Sequence, residues 1–176
     1  MPRSQFARSF RRQRRGGGFS LLELMTVVAV LGIFVAFAFP GFQYLSHITQ
    51  VKSASTNLYM GLLKARSEAV KRNTSVTMTP ASGGNWQTGW NLCFASTSCT
   101  STDPNLIASQ AELKGVVVNS NITTYVTYLS SGRLSGGVTP NFSIIHSTKS
   151  NDPTTSVARC VSVAPNGSPY VKSAAC

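Results

Sequence analysis

A chain of 176 residues has room for one ordinary globular domain and an appendage, which argues against a two-domain enzyme. Its formal net charge of +11 invites a nucleic-acid reading, but six of its sixteen Lys and Arg (Arg3, Arg8, Arg11, Arg12, Arg14 and Arg15) precede Gly16 with no acid among them. From Phe19 onward ten basic residues stand against five acidic ones, a mild excess that identifies no class of partner.

The arginine-rich stretch 1–18 ends in three glycines and is followed by FSLLELMTVVAVLGIFVAFAF, residues 19–39, in which Glu23 is the one charge. At about 1.5 Å per residue that run makes a helix of roughly 31 Å, enough to span the hydrocarbon core of a bilayer. The arginines would stay on the cytoplasmic side and the rest of the chain would cross. An ordinary secretory signal places small residues after its apolar core, whereas here Gly16 to Gly18 come before it, so cleavage at the glycines would keep the apolar run. A carboxylate in such a segment costs roughly 3 kcal/mol to insert and needs a partner or a function. Cleavage after Gly18 would supply one, the new amine at Phe19. Pro40 and Gly41 are expected to interrupt the helix by a bend or local melting, because proline removes a backbone donor and crowds the preceding turn.

Over residues 40–73 the pattern turns amphipathic. Val51, Ala54, Leu58, Leu62, Ala65 and Ala69 recur at three- and four-residue steps and predict a helix face packed on a head. Lys64, Glu68 and Arg72 are spaced for successive ion pairs along its solvated side. From Thr74 to Cys176 the texture is β: TSVTM, GWNLCF, VVV, NITTYVTYL, FSII, VARCVSV and PYVKS are short strand candidates separated by Gly, Pro, Asn and Ser. With no helical pattern between them, the expected fold class is α+β, a long amino-terminal helix on an antiparallel sheet or small sandwich. Ala95 to Asn105 reads as a loop.

Cys93, Cys99, Cys160 and Cys176 all follow the apolar run, as expected of a head folding in an oxidising compartment. Three pairings are possible, of which the sequence-local one, Cys93 with Cys99 and Cys160 with Cys176, is favoured. No Cys/His spacing suggests zinc, no triad or phosphate loop suggests an enzyme, and no cofactor is expected.

GGFSLLELMTVVAVLGIFVAFAFP resembles the amino-terminal signature of type IV pilins and type II secretion pseudopilins. The resemblance implies that a prepilin peptidase cleaves between Gly18 and Phe19 and methylates Phe19. It further implies that Glu23 attracts the amine of a neighbouring subunit during assembly, and that Pro40 kinks the helix. LLKARSEAVKRNTSVTM and GNWQTGWNLCF resemble the head-domain opening of FimT and GspH minor pilins and pseudopilins. YLSSGRLSG is similar to a glycine-centred turn of those heads, and RCVSVAPNGSPYV to their last hairpin. A type IV pilin-like fold is thereby implied, in a single-pass inner-membrane protein with a periplasmic head, incorporated into a pilus at or beyond the cell surface with other pilin subunits.

Three functions stand open at this point. A minor pilin would join or prime a type IV pilus. A GspH-like pseudopilin would serve type II secretion. A DNA-binding competence pilin would take part in DNA uptake during natural transformation. For the third, the arginine positions of the family's carboxy-terminal DNA motif are lost at Gly167-Ser168-Pro169-Tyr170, so DNA contact would rest on Arg133, Lys149, Arg159 and Lys172, and dispersion of these four is expected.

Overall fold

The structure, a computed structural model, describes residues 19–147 and 157–176, the side chains of residues 37–41 and 43 excepted. The leader 1–18, and with it Gly18, lies outside the described residues, as does Lys149. Two compact units divide at Gly41, the second being Phe42–Cys176.

One helix, α1, runs Leu21–Arg72. The helix is continuous through Pro40 and Gly41, so the local melting expected there is absent. Proline forfeits one hydrogen bond and strains one turn at about 3 kcal/mol. A 52-residue helix, with intact turns on either side, absorbs that cost cooperatively. The helix ends where Asn73 takes the left-handed conformation (φ 49°). Asn73 N–H donates to the Val70 carbonyl and Thr74 N–H to the Ala69 carbonyl, which satisfies two orphaned acceptors of the last turn. Of the anticipated charge ladder, Arg72 Nε lies 2.6 Å from Glu68 Oε2, and Lys71 approaches Glu68 at 4.0 Å. The hydrogen bond from Arg72, outweighing partial desolvation, holds the Glu68 carboxyl below its ordinary range, and Lys64 acts on it only through space.

Eight strands follow: β1 (Val76–Ser82), β2 (Asn85–Phe94), β3 (Leu106–Gln110), β4 (Val116–Ser120), β5 (Val126–Tyr128), β6 (Asn141–His146), β7 (Arg159–Val163) and β8 (Pro169–Lys172). They form two four-stranded sheets, ordered β3-β2-β1-β5 and β4-β6-β7-β8, with every pairing antiparallel. The fold is α+β, as the sequence implied.

Strand β3 was absent from the sequence-based expectation. LIASQ carries little apolar alternation, and only its register against β2 (Leu92 opposite Ala108, Trp90 opposite Gln110) makes it a strand. NITTYVTYL, conversely, is a strand only over Val126–Tyr128. Asn121 is occupied elsewhere, accepting from Asn141 N–H and donating to the Thr139 carbonyl, while the Ile122 carbonyl accepts from Trp86 Nε1. Asn121 N–H also donates to the Asn141 carbonyl, so residue 121 stays with β6 and residue 122 with Trp86, and neither joins β1.

The core lies where the amphipathic half of α1 meets both sheets. Val51, Ala54, Leu58, Leu62, Ala65 and Ala69 are all buried, together with Met78, Leu92, Phe142, Ile144 and Val161. Gly61 lets the Trp90 indole lie against the helix, since a Cβ there would come within 2.8 Å of Trp90 Nε1. Trp86 meets Phe142 edge to face, with ring centroids 5.0 Å apart. Disulfides join Cys93 to Cys99 and Cys160 to Cys176, the sequence-local pairing.

Two turns distant in sequence touch backbone to backbone. Gly132 (φ 74°) and Gly167 (φ 83°) are both left-handed, and a Cβ on Gly167 would collide with the Gly132 carbonyl. Arg66 of α1 donates from Nε to the Gly132 carbonyl and from Nη2 to the Asn166 carbonyl, clipping both turns to the helix. The Gly167→Ala variant is therefore expected to lose about 2–4 kcal/mol, from the left-handed backbone and the forced displacement together. Urea unfolding of the chain would register this as a lower midpoint at unchanged slope, and an unaltered midpoint would refute the close contact.

His146, at the end of β6, is buried against His47 of α1 (ring centroids 3.7 Å apart) with its Nε2 3.0 Å from Gln50 Oε1. Burial, and then the proximity of His47, lowers the His146 pKa. A histidine whose folded pKa is depressed binds its proton less readily folded than unfolded, so its contribution is complete above about pH 6.5 and is lost as pH falls through that value. Melting temperatures at about pH 5 and pH 7.5 should fall further for the wild-type chain than for His146→Gln. Equal drops would count against the assignment.

Candidate functional site

Of the residues on which assembly and processing were expected to depend, Phe19 lies just before α1, Glu23 in its first turn and Pro40 midway along it. Ser20 precedes the helix and its carbonyl accepts from Leu24 N–H, so Ser20 stands at the cap and Glu23 three residues on. That S-L-L-E spacing is a capping-box pattern that the sequence reading passed over. The Thr26 hydroxyl donates to the Glu23 carbonyl. Glu23 thus sits beside the unsatisfied N–H groups at the positive end of the helix, a position that favours a carboxylate.

The side chains around Glu23 are apolar and exposed. Phe19 is 82% exposed, Leu22 73% and Phe34 67%, and Leu24, Met25, Val28, Leu31 and Val35 are likewise uncovered. A single soluble chain has no reason to display such a sleeve. Among the described residues, no helix is long and apolar enough to cross a membrane. Described side chains in this apolar half end at Ala36.

Among the described residues singled out for nucleic acid, Arg133, Arg159 and Lys172 do not share one surface. Cys160 stands opposite Lys172 in the β7–β8 register, so those two share a face; Arg159, one residue earlier, belongs to the other face, and its Nη1 donates to Ser173 Oγ. Arg133 is exposed beside the Gly132–Gly167 contact, at the turn end of the same hairpin, four residues of strand away from Arg159. Tyr170 is 40% exposed and carries Lys172 Nζ 5.4 Å from its ring centroid. Arg66, which composition could not single out, spends its guanidinium on backbone carbonyls 66 and 100 residues away in sequence. Among the described residues no group of three or more His, Cys, Asp or Glu could hold a metal ion.

Residues 54–167 match the family model described as Type II transport protein GspH, and residues 13–39 match the prokaryotic N-terminal methylation motif. No curated protein matches the chain. Two crystal forms of the type IV minor pilin FimU of Pseudomonas aeruginosa are similar in fold. One has a TM-score of 0.58 at 17% identity, covering 69% of this chain and 91% of FimU. The other has a TM-score of 0.60 at 16% identity, covering 70% and 89%. The minor pseudopilin EpsH from the Type 2 Secretion System of Vibrio cholerae is similar with a TM-score of 0.52 at 15% identity, covering 70% of this chain and 96% of EpsH. With well over half its length matched, and a pilin-type helix and head to go with the match, the chain belongs to the GspH family of minor pilins and pseudopilins.

Proposed function

We propose that this protein is a minor pilin of a type IV pilus, a structural subunit without a reaction of its own that helps assemble or prime the filament. The observation that carries the proposal is the methylation motif joined to an exposed apolar helix whose first turn holds one carboxylate. In this reading prepilin peptidase removes the leader 1–18 between Gly18 and Phe19. Residues 19–39 then hold the subunit in the inner membrane, residues 40–73 carry the helix onward, and the head 74–176 stands in the periplasm. In lipid, Glu23 is tolerated because the methylated amine of a neighbouring Phe19 meets it as subunits combine. An ion-assisted contact of that kind contributes about 1.5–3 kcal/mol.

A second reading, a pseudopilin of type II secretion, is favoured by the name of the matching family and by the likeness to EpsH. DNA uptake draws less support from the head. Arg159 and Lys172 lie on opposite faces of their sheet and Arg133 at the far end of the hairpin, whereas phosphate contact along a strand needs charges gathered on one surface.

Mass spectrometry of the protein recovered from cells should find a methylated Phe19 as its first residue in both wild type and Glu23→Ala. The variant should nevertheless enter filaments at least about tenfold less than wild type, since every 1.4 kcal/mol or so lost is a factor of ten. A retained leader, or undiminished incorporation, would defeat the charge pairing. Deletion of the gene should abolish or thin surface pili while leaving protein secretion intact. The opposite pattern, normal pili with failed secretion, would select the pseudopilin reading.

A further inference from the structure

Open sheets leave edges, and edges are where extended chains add. Four edges exist here, and they are not alike. Leu134 bridges to Tyr128 on β5. Strand β8 begins at Pro169, ends at Lys172 and lies beside the Cys160–Cys176 disulfide, all features that discourage pairing. The outer side of β4 faces the start of β2 across a small cleft. Among the described residues strand β3 is guarded only at its start, where Leu106 stands opposite Cys93 of the Cys93–Cys99 disulfide next to a register shift. LIASQ holds no proline and no charge, pairs only with β2, and leaves Ser109 exposed.

Beside this edge lies a groove. One cavity of about 580 Å³ is bounded by α1 from Phe42 to Asn57 and by Gln110 to Lys114; a second, of about 230 Å³, runs on from Asn57 to Lys64 against Ala108 to Gln110. They share Asn57 and Gln110. Phe42, Leu45 and Met60 line it while remaining more than half exposed. A strand laid along β3 would satisfy its unpaired backbone groups and send every second side chain into this groove.

Charge narrows the occupant. Lys64 and Lys114 flank the groove, against Glu112 as its one acid. From Phe19 onward the chain carries twice as many basic as acidic residues, so a second copy is repelled and an acidic segment is drawn in. We infer that the free edge of β3 receives an extended, acidic segment from the head of a different subunit as an added strand. The inference rests on the subunit role proposed above and specifies which surface of the head is used.

The test places a photo-crosslinking amino acid at Ser109 of the full chain in cells that assemble the filament, with a second placement at Leu31 in the apolar half of α1. The inference requires adducts from both positions. The Ser109 adduct should map to an acidic, strand-forming stretch of another subunit and fall about tenfold in a Lys64→Glu, Lys114→Glu variant, since like charges now oppose docking. In isolated assemblies, amide exchange across residues 107–110 should slow at least about tenfold relative to the free chain, because an added strand protects the outward amides. Adducts at Leu31 with silence at Ser109, or a Ser109 adduct to lipid or to a second copy, would overturn the added strand and leave the subunit role standing. An adduct indifferent to charge reversal would overturn the acidic occupant. Silence at both positions would overturn this inference and the subunit role together.

Discussion

Everything in the head depends on one apolar stripe. Val51, Ala54, Leu58, Leu62, Ala65 and Ala69 lie along a single face of α1 and are removed from solvent by residues of both sheets. Neither sheet is self-sufficient, since a four-stranded antiparallel sheet with one apolar face needs something to lie against. Alanine at 54, 65 and 69 keeps the helix surface low enough for backbones to approach. Gly61 carries the same logic further, because the Trp90 ring occupies the space a side chain would fill. The helix is thus half of the core rather than an attachment to it, and the strands find their register around its shape.

That dependence also explains what could be read from the sequence. Periods of three and four residues are printed in a helix whose one face is buried, so the stripe was legible residue by residue. β6 was legible in part, as FSII, but its buried set Phe142, Ile144 and His146 was not, because Ile145 and His146 reverse the apolar alternation in the sequence. β3 was not legible, because an edge strand half covered by a groove has no strong alternation, and its existence is decided by β2. NITTYVTYL had the composition of a strand, but Asn121 and Ile122 have partners other than β1. At Pro40 the expected melting did not occur, since one lost hydrogen bond is carried by the intact turns of a long helix. For the cysteines the sequence left three pairings open, and the favoured local one is the one found.

The functional residues divide along the same line. Phe19 and Glu23 belong to a motif whose meaning is local, and their neighbourhood can be reconstructed from a few adjoining letters. The basic residues of the head carry no such local meaning. Arg133, Arg159 and Lys172 are close in composition yet are set apart by strand parity and by the two ends of a hairpin. Arg66 is the reverse case, a residue of unremarkable context whose partners are 66 and 100 positions away. Charge counted along a chain says little about charge gathered in space.

The arginine clip has a mechanical meaning for any protein whose helix is held at one end and whose head bears load at the other. Arg66 joins α1 to two separate turns through two carbonyls, and those turns are in direct backbone contact. Tension along the helix would reach both turns at the same moment, so the two bonds resist as a pair instead of opening in sequence like a zip.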